Sequence, residues 1–114
     1  MRVYGQELAK NRVEGVYLED LCFEAQQAAE KSIKAVLIKR DIDYPYVHDL
    51  RRLLALLQDA GEEVPPTVAR AENLTRYAAD TRYPGTAEPV DEQRYRNAIQ
   101  IAEAVVRWAE GRLQ

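Results

Sequence analysis

His48 is the only histidine in the 114 residues, and it stands immediately before Asp49 and Leu50. Histidine is the side-chain type that ordinarily changes charge near neutral pH, so one beside a helix start can serve as acid, base or phosphate ligand. A structural alternative stands next to this one: Asp49 caps the helix, and His48 is only the residue before the cap. Any nucleophile–histidine arrangement within one chain must pass through His48, and zinc sites built from several histidines are excluded. Arg82 is the second candidate. On a helical wheel it falls between Ala71, Thr75 and Ala78, an apolar side where a guanidinium needs a carboxylate, carbonyls, water or a ligand. Arg40 sits in the same way at the end of the preceding long apolar pattern. Two inward arginines with His48 outline a polar crevice at one end of a helical bundle; a salt bridge to Asp49 or Asp80 is the structural alternative.

Tyr44, Tyr46, Tyr77 and Tyr83 fall around the same crevice, and aromatics beside cations suit a nucleotide or single-stranded nucleic acid. Asn73, Tyr77 and Asp80 share a side at helical spacing, where Tyr77 either stacks on a base or lies half-buried with its hydroxyl in water. Six cations, Lys31, Lys34, Lys39, Arg40, Arg51 and Arg52, lie in or near one helix–loop–helix junction, partly offset by Asp41, Asp43 and Asp49; a solvated helix surface is the ordinary reading of such a group. The formal net charge is -3, so no global basic field draws in nucleic acid and any such binding is local. Cys22, the one cysteine, has no partner for an internal disulfide and lies on an apolar stripe, where an inert buried thiol is expected.

Helices must position these residues. Leu18, Leu21, Cys22, Ala25, Ala29, Ser32, Ile33 and Val36 recur at spacings of three and four and predict a central helix over 18–42. Its opposite side carries Phe23, Gln27, Glu30, Lys31, Lys34 and Ile38, a mixture suited to a partner as well as to solvent. A short first helix is expected over 2–12, a turn over 13–17, a helix over 49–60 ended by Gly61, and a helix over 66–81 begun at Pro66. A last helix follows Asp91 as N-cap. No stretch alternates with period two for long enough to make a strand. One domain over 1–114 is expected, all-α, a four- to five-helix up-and-down antiparallel bundle. With 46% hydrophobic and 31% charged residues the balance is that of a soluble globular chain. No window approaches the ~20 apolar residues of a membrane span and no leader is evident at the N-terminus, so a cytoplasmic location is expected.

Taken together, the run from Cys22 to Lys31 with Lys34, Tyr44-Pro45 leading to His48-Asp49-Leu50, Leu74-Thr75-Arg76-Tyr77-Ala78, and Arg82-Tyr83-Pro84 resembles the HEPN domain, a helical domain named for its occurrence in higher eukaryotes and prokaryotes and for nucleotide binding. The resemblance runs from Leu18 to Leu113. It implies a four- or five-helix bundle, often homodimeric, in bacteria frequently encoded beside a minimal nucleotidyltransferase as a toxin and antitoxin pair. Many such domains are metal-independent ribonucleases that join an arginine and a histidine from each of two protomers. His48 carries over to that role. Arg40 departs from it, since seven residues separate it from His48 and Asp41 follows it. Gln27, His48, Asp49, Arg82 and Tyr83 match the pattern.

Two functions are in view. The first is a HEPN-like nucleotide- or RNA-binding homodimer without cofactor, working through His48, Asp49, Arg82, Tyr83, Arg40, Tyr77, Gln27 and Lys31, with a nucleotidyltransferase partner and, in its sharper form, ribonuclease activity shared between two copies of His48. The second is a non-catalytic helical bundle that presents Phe23, Gln27, Lys31, Lys34 and Ile38 to a protein partner.

Overall fold

From residue 14 to residue 39 the sequence holds no proline, and its apolar residues keep helical spacing. A computed structural model describes residues 14–78 and 90–114. There the long run forms α1 (Glu14–Lys39), 26 residues and about 39 Å at 1.5 Å per residue. The helix begins inside the stretch expected as a turn. One glycine, Gly15, costs a helix interior only about 1 kcal/mol, too little to stop it. The far end comes earlier than expected. Asp41 adopts a left-handed backbone (φ 58°), its N–H donates to the Ile38 carbonyl at 3.0 Å, and the Ile42 N–H donates to the Leu37 carbonyl at 2.9 Å. This is a Schellman closure with aspartate in the position that glycine usually takes.

The connection after α1 climbs back along it. Ile42 packs on the core, Lys34 lies over the rings of Tyr44 and Tyr46, and His48 reaches Glu30. The next helix, α2 (Leu50–Asp59), therefore starts beside Glu30 and ends where Arg40 donates to the Ala60 carbonyl, running alongside the second half of α1 in broadly its direction. The Asp49 carboxylate caps α2 by accepting from the N–H groups of Arg51 and Arg52. Gly61 (φ 94°) closes its far end with a second Schellman pair, Gly61 N–H to Gln58 and Glu62 N–H to Leu57.

After Pro65, α3 (Pro66–Ala69) makes one turn and tightens into a 3-10 helix, Arg70–Tyr77. Where an α-helix over 66–81 was expected, the tighter coil takes over at Arg70–Tyr77, and at Ala78 the backbone is already extended. Three residues per turn stack Ala71, Leu74 and Tyr77 on one face, and all three are buried. Tyr77 lies near Arg94 in the first turn of α4 (Glu92–Leu113), whose N-cap Asp91 accepts from the Arg94 N–H at 2.8 Å. Because α3 also packs on α4, the 3-10 segment runs opposite to it.

Leu18, Cys22, Ala25, Ala29, Ile33, Val36 and Leu37 of α1 form the centre of the core against Leu50, Leu53 and Leu57 of α2, Val68 and Leu74, and Ala98, Ile101, Ala102, Val105 and Ala109 of α4. The expected all-α bundle is what forms, with no strand among the described residues. The short first helix expected over 2–12, and Asp80, Arg82 and Tyr83, lie outside the described residues.

Candidate functional site

Helical spacing builds a ladder on α1. Gln26, Glu30 and Lys34 lie four residues apart on one side of the helix. Gln26 is fully buried and Glu30 is 5% exposed, the two buried polar residues of the described core. The Gln27 amide donates to the Gln26 side-chain oxygen at 2.7 Å, the Gln26 amide donates to Glu30 Oε1 at 2.6 Å, and the Lys34 ammonium donates to Glu30 Oε2 at 2.8 Å. The returning loop completes the set by placing His48 Nδ1 at 3.0 and 3.1 Å from the two carboxylate oxygens.

Burial alone raises the Glu30 pKa, but the hydrogen bonds from Lys34, His48 and Gln26 outweigh it and hold the carboxyl below its usual range. Glu30 is therefore ionised at neutral pH and has no proton to give. The proton between it and His48 is on Nδ1, which fixes the tautomer and leaves Nε2 as the nitrogen able to meet a ligand. The His48 side chain is 31% exposed, so the ring is anchored on one edge and open on another. Tyr46 stands at its border: it is 91% exposed, its ring centroid is 6.3 Å from the imidazole, and Lys34 lies 5.4 Å from its ring and 5.5 Å from that of Tyr44. A buried carboxylate, an oriented imidazole, an ammonium and two aromatic rings together can hold a phosphate, stack a base and move a proton.

The fold brings His48 together with Gln27, which reaches the cluster through Gln26. It does not bring Arg40, whose guanidinium donates to the Glu62 carboxylate at 3.0 Å and to the Ala60 carbonyl at 3.1 Å. Arg40 follows the last residue of α1, ten residues beyond Glu30 and about 15 Å from it at the helical rise. The wheel aimed Arg40 inward, but the Schellman closure beside it turns the side chain to the α2 terminus instead. Asp49 is occupied in capping α2. Lys31 is exposed on the neighbouring face of α1. Tyr77 belongs to the core rather than to the His48 cluster: its hydroxyl hydrogen-bonds the Cys22 sulfur, and burial pushes that thiol up to about 11. The α-helical wheel had put Tyr77 outward with Asn73, and 3-10 winding returns it to the Leu74 face. The proposed meeting of His48 with Arg82 and Tyr83 falls outside the described residues.

Sequence reasoning missed Glu30 and Gln26. Their only signal is the Gln-Glu-Lys ladder at spacing four, which on most helices marks a solvated surface. No described group of three or more His, Cys, Asp or Glu residues has the arrangement to hold a metal, and no described helix is long and apolar enough to cross a membrane.

The HEPN domain family model matches residues 6–112, nearly the whole chain. The chain belongs to the HEPN domain family, and its general class is that of a nucleotide- or RNA-related module. No curated protein and no solved structure gives a significant match.

Proposed function

We propose that the protein binds nucleotide or single-stranded RNA at the His48–Glu30–Lys34 cluster, and that it works as a homodimer. The observation that carries this reading is the half-exposed His48 ring tied through Nδ1 to a buried, ionised carboxylate. A helix that needed only a cap has one in Asp49; a buried glutamate behind the histidine adds an oriented base. Lys34 offers a phosphate partner, and Tyr46 an exposed ring on which a base stacks. In the sharper form two copies of His48 act as acid and base on the RNA 2′-hydroxyl and the leaving oxygen, because each chain has a single histidine. That form makes the protein the toxin half of a pair with a nucleotidyltransferase antitoxin.

Binding of short oligouridylates and of ATP, followed by anisotropy and by the thermal melting temperature, tests the reading. His48→Ala, with helical circular dichroism intact, is expected to weaken RNA binding roughly tenfold or more, as befits loss of a hydrogen bond to a charged group. It is also expected to abolish any cleavage. Equal affinity in wild type and variant removes His48 from the site. The non-catalytic interaction bundle gains if neither RNA nor nucleotide shifts the melting temperature. Ile38, 63% exposed on α1, is then the contact to examine.

A further inference from the structure

Three of the six cations near the return loop are held by partners of their own. Arg40 donates to Glu62 and the Ala60 carbonyl, Lys34 to Glu30, and Lys39 to the Leu113 carbonyl. Lys31, Arg51 and Arg52 are exposed, and their side chains make no ion pair or hydrogen bond with a described residue. Lys31 belongs to α1. The other two follow His48 by three and four residues, in the first turn of α2. At ~3.8 Å per residue the Arg51 Cα lies within about 11 Å of the His48 Cα, and the Arg52 Cα within about 15 Å.

Stability does not account for two arginines there. The start of a helix is the positive end of its dipole and favours carboxylates, yet the first turn of α2 holds no acidic residue. Asp49 supplies one negative charge, and its carboxylate is engaged by the Arg51 and Arg52 N–H groups at 3.1 and 3.5 Å. Asp41 and Asp43 sit in the half of the return loop nearer the α1 closure. The remaining donors of this helix start are also taken, the Leu50 N–H by the Thr75 hydroxyl and the Leu53 N–H by the Asp49 carbonyl. The backbone therefore has nothing to offer an anion, whereas the two guanidiniums do. Set against the dipole and unpaired, they put positive potential beside an imidazole that a buried carboxylate holds in place.

We propose that Arg51 and Arg52 hold the backbone phosphates flanking the nucleotide at His48, so that the site takes an RNA strand in preference to a mononucleotide. The assignment rests on the reading of the His48 cluster as an RNA-binding site and adds the length and path of what it takes. Tyr46 and His48 engage one nucleotide, and the strand runs on across the first turn of α2. A free nucleotide fills only the Tyr46–His48 end and leaves both guanidiniums unmet. Guanidiniums meet phosphates whatever the base, so the gain is in affinity for a strand and not in choice of sequence.

The test compares UMP, a uridine dinucleotide and octauridylate, the last two 2′-O-methylated so that no cleavage intervenes, on the full chain by calorimetry over a range of salt. Affinity is expected to rise with strand length, and that for octauridylate to fall as salt is added. Arg51→Gln with Arg52→Gln should weaken octauridylate roughly tenfold or more, each charged hydrogen bond being worth about that factor. The slope of log affinity against log salt should shrink by about 1.4, roughly 0.7 for each phosphate no longer met. UMP affinity and the His48 ring resonances should keep their values. The melting temperature should stay level or rise, since two charges opposing the helix dipole are gone. Arg51→Lys with Arg52→Lys keeps both charges and should retain the salt slope while losing part of the affinity. Octauridylate bound no more tightly than UMP overturns the inference, as does an unchanged salt slope in the glutamine variant or a loss of binding that comes with a marked fall in melting temperature. His48→Ala separates the two levels. If it weakens every ligand while the arginine variants change nothing, the site stands and the strand path is wrong. If octauridylate responds to the arginine variants and not to His48→Ala, His48 leaves the site and the arginine grip stands alone. A wild-type chain that binds none of the three overturns both.

Discussion

Glu30 is the residue on which the described site turns, because it is buried and ionised and three donors converge on it. The stability it contributes has a definite pH signature. Its carboxyl is held below its unfolded value, so the native state favours the charged form. That contribution is complete above the unfolded glutamate pKa of about 4.3 and is lost as pH falls through the lower native value. Glu30→Gln keeps the shape but removes the charge that Lys34 and His48 face. Urea unfolding at pH 7 should show a loss of about 1–3 kcal/mol, the cost of leaving buried donors poorly matched. As pH falls through that lower native value the variant and the wild type should converge, since the wild-type side chain is then also neutral. A gap that stays constant across the whole acid limb, as far down as the wild type remains folded, would show that the glutamine is damaging packing rather than removing a charge. At this scale the sequence was legible for His48 and Asp49, whose order beside Leu50 announces a helix start. It was opaque for Glu30, because only the return of the loop over 40–49 covers that face of α1.

Among the elements, helices with clean apolar stripes were readable and the tighter coil was not. Leu50, Leu53, Leu54 and Leu57 predict the buried face of α2 directly, and all four are buried. Val68, Ala71 and Leu74 fit an α-helical or a 3-10 register almost equally well, and only Tyr77 separates the two. A wheel of the wrong period therefore misplaced the one aromatic whose position would have revealed it. The ends of α1 and α2 use the same closure with different residues, which gives a paired prediction. Gly61 sits at φ 94° with open space where a side-chain methyl would stand, so Gly61→Ala should cost about 1 kcal/mol from backbone strain alone. Asp41 sits at φ 58° without glycine's freedom. Asp41→Gly should be neutral or stabilising by up to about 1 kcal/mol, because relief of left-handed strain outweighs the added unfolded-state entropy. Denaturant midpoints of the two variants should move in opposite senses. Equal losses would place the cost in side-chain contacts of Asp41 rather than in its backbone.

For the molecule as a whole, the arithmetic of one histidine per chain sets the strongest test of the catalytic form. A reaction that needs an acid and a base of the same kind must take them from two copies, and a two-fold axis supplies both with one interface. The described fold leaves room for this: Tyr46 and Ile38 are largely exposed on the α1 side of the bundle, flanking the Glu30 ladder. When wild-type chains are mixed with an equal amount of His48→Ala chains and allowed to exchange, about a quarter of the dimers carry two histidines, half carry one and a quarter carry none. If cleavage requires both, RNA turnover should fall to about a quarter of that of an all-wild-type sample at the same total dimer concentration. If each site acts alone, it should fall to about half. Light scattering on the same mixtures establishes that dimers are present. A monomeric protein that cleaves RNA in proportion to its wild-type content would require a second proton carrier within the chain, and the shared-histidine mechanism would be wrong.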